Sequence, residues 1–407
     1  MTIVCAHIGL AKTGTTSLQY ALQEHASSLA EHGVLFPGGT HARQTAAVYD
    51  LMGRKVKGEE LSNVPGSFGR VVTEIDAWTG REAVLSQELL ALARPKQVRH
   101  FFDALRSHEV IVVVTVRDLA RAICSAWQQE IFQGHTYTWS QYMSALRGDG
   151  DSTASAGLSF WIRQDLTQVL SRWEEWVPRE NIRIVTLPPT GQPHQLLFDR
   201  FAEVLGLPSG SLNPERDRRN PSLGAAELEA LRRMNVSVDN EGGRPQHHQL
   251  LRAGVRERLC AEDSRPLTLP ADELPWVTER AEAQIDQLKE RGYMVVGDLD
   301  DLRPSPPPAD SRRPDDVTEP ELLAATAHIL QVIVREYGMA WRRYQRLQRQ
   351  ARSGGEGGED SGLADRMAHS SRSLGFRLRQ ATLDRAEHNR LVGWAAHKYQ
   401  RRKYPGS

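Results

Sequence analysis

Only three cysteines, Cys5, Cys124 and Cys260, occur in 407 residues. No two are spaced as a pair, which excludes a disulfide framework and a thiolate metal site, and they read as buried thiols of a reducing compartment. Net charge is missing too, because 51 Lys and Arg face 51 Asp and Glu. A chain with no excess of either sign sets up no global field, so nucleic acid is not an expected partner and any affinity for anions must be local. Long apolar runs are also lacking. No stretch reaches the roughly 20 residues that cross a bilayer, and the apolar run near the N-terminus is too short, and lacks the basic flank, to serve as an export signal. The expectation is a cytoplasmic protein. Its apolar fraction of 40%, with a quarter of the residues charged, is that of a globular chain long enough to bury a large core.

One further absence concerns a single position. The apolar run Ile3 to Ile8 leads into a Gly/Thr-rich loop and then a helical pattern, TIVCAHIGLAKTGTTSLQYALQEH. Strand, loop and helix form a phosphate cradle, and the spacing of Gly9 and Gly14 matches the start of a nucleotide-binding P-loop. That motif's lysine is not there. Thr15 takes its place, while Lys12 lies inside the loop. A fixture of ATP and GTP hydrolysis is therefore gone, since the P-loop lysine reaches the β- and γ-phosphates. What remains is an anion site: amides of residues 13 to 17 at the positive end of a helix, with hydroxyls on Thr13, Thr15, Thr16 and Ser17.

A second motif, EVIVVVTVRDLARAICSAWQQEIFQG, holds the β-branched run Val110 to Val116 of a buried parallel strand. It ends at Arg117, where α/β sheets place ligand contacts, and a helix follows from Asp118. Ser125 stands eight residues beyond Arg117. A guanidinium offers a planar fork of donors to a phosphate, and a hydroxyl two turns along the helix can close the other side. Arg121 reads either as a second phosphate contact or as an ion pair with Asp118. Trp127 reads as core.

Together these strings resemble the sulfotransferases that use 3′-phosphoadenosine-5′-phosphosulfate (PAPS). Lys12 to Thr16 matches that family's loop of lysine, Ser/Thr, glycine and two threonines, and Arg117 with Ser125 matches its pair for the nucleotide's 3′-phosphate. The resemblance implies a three-layer α/β/α fold with a mostly parallel sheet. It also implies that Lys12 meets the oxygen bridging phosphate and sulfate, and that PAPS is the co-substrate with no metal required. The family's late basic loop would correspond to Arg218 and Arg219, with Ser222, although its Arg-Lys-Gly signature is missing; a solvated charged loop is the other reading.

Sulfuryl transfer to a hydroxyl or amine needs a base. Glu88, after the strand predicted at Ala83 to Leu85, is the first candidate, in the position where polysaccharide sulfotransferases carry a glutamate; it also reads as an N-terminal acid of the next helix. His7, on the first strand, is the second, and also reads as a buried hydrogen-bonded residue. Two other functions stand beside the transferase: a P-loop-type kinase and a non-catalytic nucleotide-binding scaffold. The acceptor, a small molecule or a carbohydrate or lipid group, is not specified by residues 41–80 and 128–160, though HARQ at His41 to Gln44 is read as part of its cleft.

Taken in order, one helix is predicted over 15–32, a strand over 34–36, and the transferase domain over 1–302. Residues 303–320, rich in Pro, Asp and Ser, read as a linker. Leu323, Thr326, Leu330, Ile333, Tyr337, Trp341 and Tyr344 trace an apolar stripe along a helix spanning 321–352. A Gly-rich break at 353–362 precedes a tail, 363–407, with ten Lys and Arg against three acids. The tail reads as a helix that packs on the domain or on a second copy, with an anionic membrane surface as the alternative.

Overall fold

The computed structural model describes residues 1–54, 64–149, 154–213, 222–240, 259 and 266–353. Arg218, Arg219, Cys260 and the basic tail lie outside the described residues. Among the described residues six strands form one sheet: β1 (Ile3–His7), β2 (Val34–Leu35), β3 (Glu82–Ser86), β4 (Glu109–Val116), β5 (Ile182–Thr186) and β6 (Met294–Val296). Their order is β2-β3-β1-β4-β5-β6 and every neighbouring pair is parallel. The central strand β1 therefore has β3 on one side and β4 on the other, and all three end at the same edge. Ligands of open parallel sheets bind at that edge, beside the strand where the order reverses.

The two-residue period of the strands sorts their side chains into two cores. On one face Val4, Ala6, Val110, Val112, Val114 and Ile184 pack against α3 (His41–Leu51), α4 (Ser67–Asp76), α5 (Pro95–Ala104) and α9 (Leu166–Glu174). On the other, Cys5, Val84, Ile111, Val113 and Val185 meet α1 (Thr15–Glu24) and α10 (Gln195–Val204), which buries Phe198 and Phe201 completely. The arrangement is a three-layer α/β/α fold with an all-parallel sheet. A third core lies among helices: α6 (Leu119–Phe132), α7 (Trp139–Arg147), α8 (Ala154–Gln164), α11 (Ala225–Asn240), α12 (Leu274–Arg291) and α13 (Glu319–Ser353). Trp127 and Trp139 sit in it edge to face, their ring centres 5.4 Å apart, and both are fully buried.

Three local features differ from the sequence reading. The helix expected over 15–32 breaks at His25, whose ring lies 2.7 Å from the carbonyl of Asn213, and α2 (Ala26–Glu31) continues from there. Gln44 does not line a cleft. It is buried beside β3, where its amide donates to the carbonyl of Val84 and accepts from the main-chain N–H of Ser86, completing hydrogen bonds that the short strand β2 cannot reach. In α13, Leu322, Ala325, Ile329 and Val332 are buried, and the stripe read from sequence lies one residue round, with Leu323 and Leu330 exposed. Two apolar stripes run along this helix, and its periodicity alone does not say which one meets the core.

Residues Met1–Ile333 form one compact unit and Val334–Ser407 a second. The first includes the Pro/Asp-rich segment. There the Asp315 carboxylate accepts from the main-chain N–H groups of Trp139 and Ser140, and Val317 is buried. In the second, the described part is the end of α13, on which Val334, Tyr337 and Trp341 are exposed. No helix among the described residues is long and apolar enough to cross a membrane.

Candidate functional site

The loop between β1 and α1 is shaped by two left-handed residues, Lys12 with φ 67° and Gly14 with φ 77°. Glycine adopts this conformation freely, whereas a lysine there costs about 1 kcal/mol. Lys12 alone among the described non-glycine residues has a positive φ. Gly14 opens α1, and among the described residues no side chain caps that helix. The first intrahelical bond runs from Leu18 N–H to the Gly14 carbonyl, so the amides before it have no helical acceptor. Of the four loop hydroxyls, those of Thr13 and Thr15 are buried; Thr16 is exposed and Ser17 half-buried. The inner two are occupied within the protein, Thr13 Oγ1 donating to the Leu10 carbonyl at 2.6 Å and lying 2.7 Å from Thr115 Oγ1.

Arg117 follows β4 directly. Its Nη1 donates to the Lys12 carbonyl at 3.2 Å, while its Nε is buried with no hydrogen-bond partner among the described residues. Burial, with Arg121 close by, lowers its pKa to about 10. A guanidinium with a buried donor unbonded among the described residues, set between the charges of Arg121 and Asp118, can take an anion. Arg121 pairs with the Asp118 carboxylate, and its Nη2 donates to the Pro188 carbonyl at 2.9 Å. Ser125 is half-buried on α6. The Ser222 hydroxyl and the Leu223 N–H both donate to Gln128 Oε1, at 3.2 and 3.0 Å, so the chain leaving the basic loop is tied to α6 three residues past Ser125.

Lys12 turns its ammonium across the site, Nζ donating to Gln129 Oε1 at 3.0 Å. Glu88 opens a short 3-10 turn, Glu88–Leu92, after β3. Burial raises its pKa, and the positive charges of Lys12 and Arg163 hold it down. Arg163 Nη1 in turn lies 3.5 Å from Glu130 Oε1, whose partner oxygen accepts from Tyr137 at 2.7 Å and lies 3.1 Å from His135 Nε2. Gln164 donates to the Ala11 carbonyl at 2.7 Å and braces the loop from α8. Lys12, Glu88 and Arg117 thus follow the ends of β1, β3 and β4, which lie side by side in the sheet.

A sulfotransferase resembles this chain. The solved structure is from Alicyclobacillus acidocaldarius, at 12% identity over 57% of this chain and 92% of that one, with a TM-score of 0.32. No family profile and no curated protein matches the sequence.

His7 is not placed to serve an acceptor. It is fully buried beneath the loop, its Nδ1 2.7 Å from Ser86 Oγ and its Nε2 3.1 Å from Thr115 Oγ1, and burial lowers its pKa to about 3. Sequence reasoning missed Gln129, Glu130, Arg163 and Gln164. One signal was present: Gln128, Gln129 and Glu130 are consecutive polar residues in a largely apolar helix, and Gln128 and Glu130 are both buried, where polar groups require partners.

Proposed function

We propose that this protein transfers the sulfuryl group of PAPS to a hydroxyl or amine of its acceptor. The reading is carried by one juxtaposition: Arg117, at the end of β4, donates to the carbonyl of Lys12 in the loop that opens α1. In this reading the α1 amides with Thr16 and Ser17 bind the 5′-phosphate. Arg117 and Ser125 bind the 3′-phosphate, and Arg218 and Arg219 close over the nucleotide. The acceptor oxygen attacks sulfur and gives its proton to Glu88. The bond from sulfur to the bridging oxygen breaks, and the Lys12 ammonium meets the charge that develops there. The loop favours this over a phosphoryl transferase because Thr15, at the P-loop lysine position, turns into the core.

Incubation with radiolabelled PAPS and a fractionated mixture of candidate acceptors tests the assignment. A labelled product should form with the wild-type protein. With Glu88→Gln it should disappear while nucleotide binding persists, because a base acts on the acceptor. Glu88→Gln at full rate would remove Glu88 from the mechanism.

A further inference from the structure

His7, Ser86, Thr115, Thr13 and Thr15 form a buried polar string under the phosphate loop, each no more than 2% exposed. The β1–β3 register places His7 beside Ser86, and Thr115 lies two residues beyond Val113, the β4 partner of His7. All three side chains therefore emerge on the α1 side of the sheet. Gly9 makes room for them. A Cβ at that position would stand 2.7 Å from Thr115 Oγ1, 2.8 Å from Thr15 Oγ1 and 3.0 Å from His7 Nε2.

The direction of every hydrogen bond in the string follows from its last acceptor. The Leu10 carbonyl has only lone pairs, so the Thr13 hydroxyl 2.6 Å away must donate to it. With its one hydrogen committed, Thr13 Oγ1 can only accept, from Thr115 at 2.7 Å and from Thr15 at 3.3 Å. Thr115 has then given up its hydrogen as well, and His7 Nε2, 3.1 Å away, must carry the proton facing it. A neutral imidazole carries one N–H, which leaves Nδ1 to accept from the Ser86 hydroxyl at 2.7 Å. Full burial, with no acidic partner among the described residues, favours the neutral ring.

We propose that His7 is a positioning residue, a neutral Nε2–H imidazole that relays hydrogen bonds of fixed direction from Ser86 at the end of β3 to the phosphate loop. Ser86 is held from three sides, since its N–H donates to Gln44 and its carbonyl accepts from Gln19 of α1. It stands two residues before Glu88. The relay therefore ties the carboxylate's turn and the cradle into one unit, so that a change at either end is felt at the other. Its functional consequence rests on the sulfuryl-transfer reading; the direction of the bonds does not.

The test uses the full-length chain labelled with ¹⁵N. Long-range correlations of the His7 ring should show the Nε2–H tautomer at pH 5.5 and pH 8.5 alike. An Nδ1–H tautomer, or titration between those values, overturns the proposal. Ser86→Ala should shift the amide resonances of Thr13, Gly14 and Thr15, although it touches none of them, and should weaken binding of adenosine 3′,5′-bisphosphate by about three- to tenfold, the weight of one hydrogen bond. His7→Gln, whose amide restores the donor to Thr115, should bind more tightly than His7→Leu, and Ser86→Ala should add nothing on the His7→Gln background. Equal affinities for Gln and Leu, or unmoved loop amides in Ser86→Ala, would refute the relay. A wild-type protein that binds no adenosine 3′,5′-bisphosphate would refute the nucleotide reading instead, and the ring tautomer and loop amides would still decide the relay.

Discussion

The guanidinium of Arg117 donates to the main-chain carbonyl of Lys12 at 3.2 Å, across 105 residues of sequence. The group assigned to the 3′-phosphate thus also holds in place the backbone of the residue assigned to the leaving group. Arg117→Ala should reduce both nucleotide affinity and turnover, and Arg117→Lys should rescue little, because a point charge cannot replace the fork of donors. Single-turnover rates measured at saturating PAPS separate the two effects. An unchanged rate would show that the contact to the Lys12 carbonyl carries no positioning role.

Lys12 holds a strained left-handed backbone, which makes the loop and the ammonium separable by mutation. Lys12→Ala keeps the strain and removes the charge; Lys12→Gly removes both. Each should lower turnover by about two to three orders of magnitude, the loss expected for one preorganised transition-state donor. Lys12→Gly should unfold at the higher temperature of the two. Turnover recovered in Lys12→Gly would mean that the loop's shape, and not the ammonium, is what catalysis requires.

The raised pKa of Glu88 fixes the sign of the pH dependence. Burial stabilises its protonated form, so the base is lost as pH falls through a pKa above the usual carboxylate value of 4.5. The acidic limb of kcat/KM should report that higher pKa. Arg163 opposes the shift, so Arg163→Gln should move the limb to still higher pH and leave nucleotide affinity unchanged. A limb that stays in place would detach Arg163 from Glu88.

The strand–loop–helix unit at the N-terminus is legible in the amino-acid sequence because its parts are neighbours along the chain. The strand, the Gly/Thr loop and the following helix lie within 22 residues, and their chemistry depends on local spacing. The run ending at Arg117 is legible for the same reason. What joins the site across the fold is not. Gln129 and Gln164 reach Lys12 and Ala11 only once α6 and α8 are packed in the fold. His7 shows the opposite difficulty. A histidine on a strand near a loop reads equally as a base or as a structural group, and only the parallel register that sets it beside Ser86 decides between them. The stripe on α13 is ambiguous in sequence because Leu322–Ala325–Ile329–Val332 and Leu323–Thr326–Leu330–Ile333 have the same spacing.

Calorimetric titration of the wild-type protein with adenosine 3′,5′-bisphosphate, beside ATP with Mg²⁺, tests the central assignment most directly. The bisphosphate carries both phosphates that the proposed reading assigns to the loop and Arg117, and it should bind more tightly and raise the unfolding temperature more, as a ligand selective for the folded state must. Arg117→Ala should erase most of that preference. Tighter binding of ATP with Mg²⁺, retained in Arg117→Ala, would contradict the sulfotransferase reading and favour a phosphoryl-transfer enzyme.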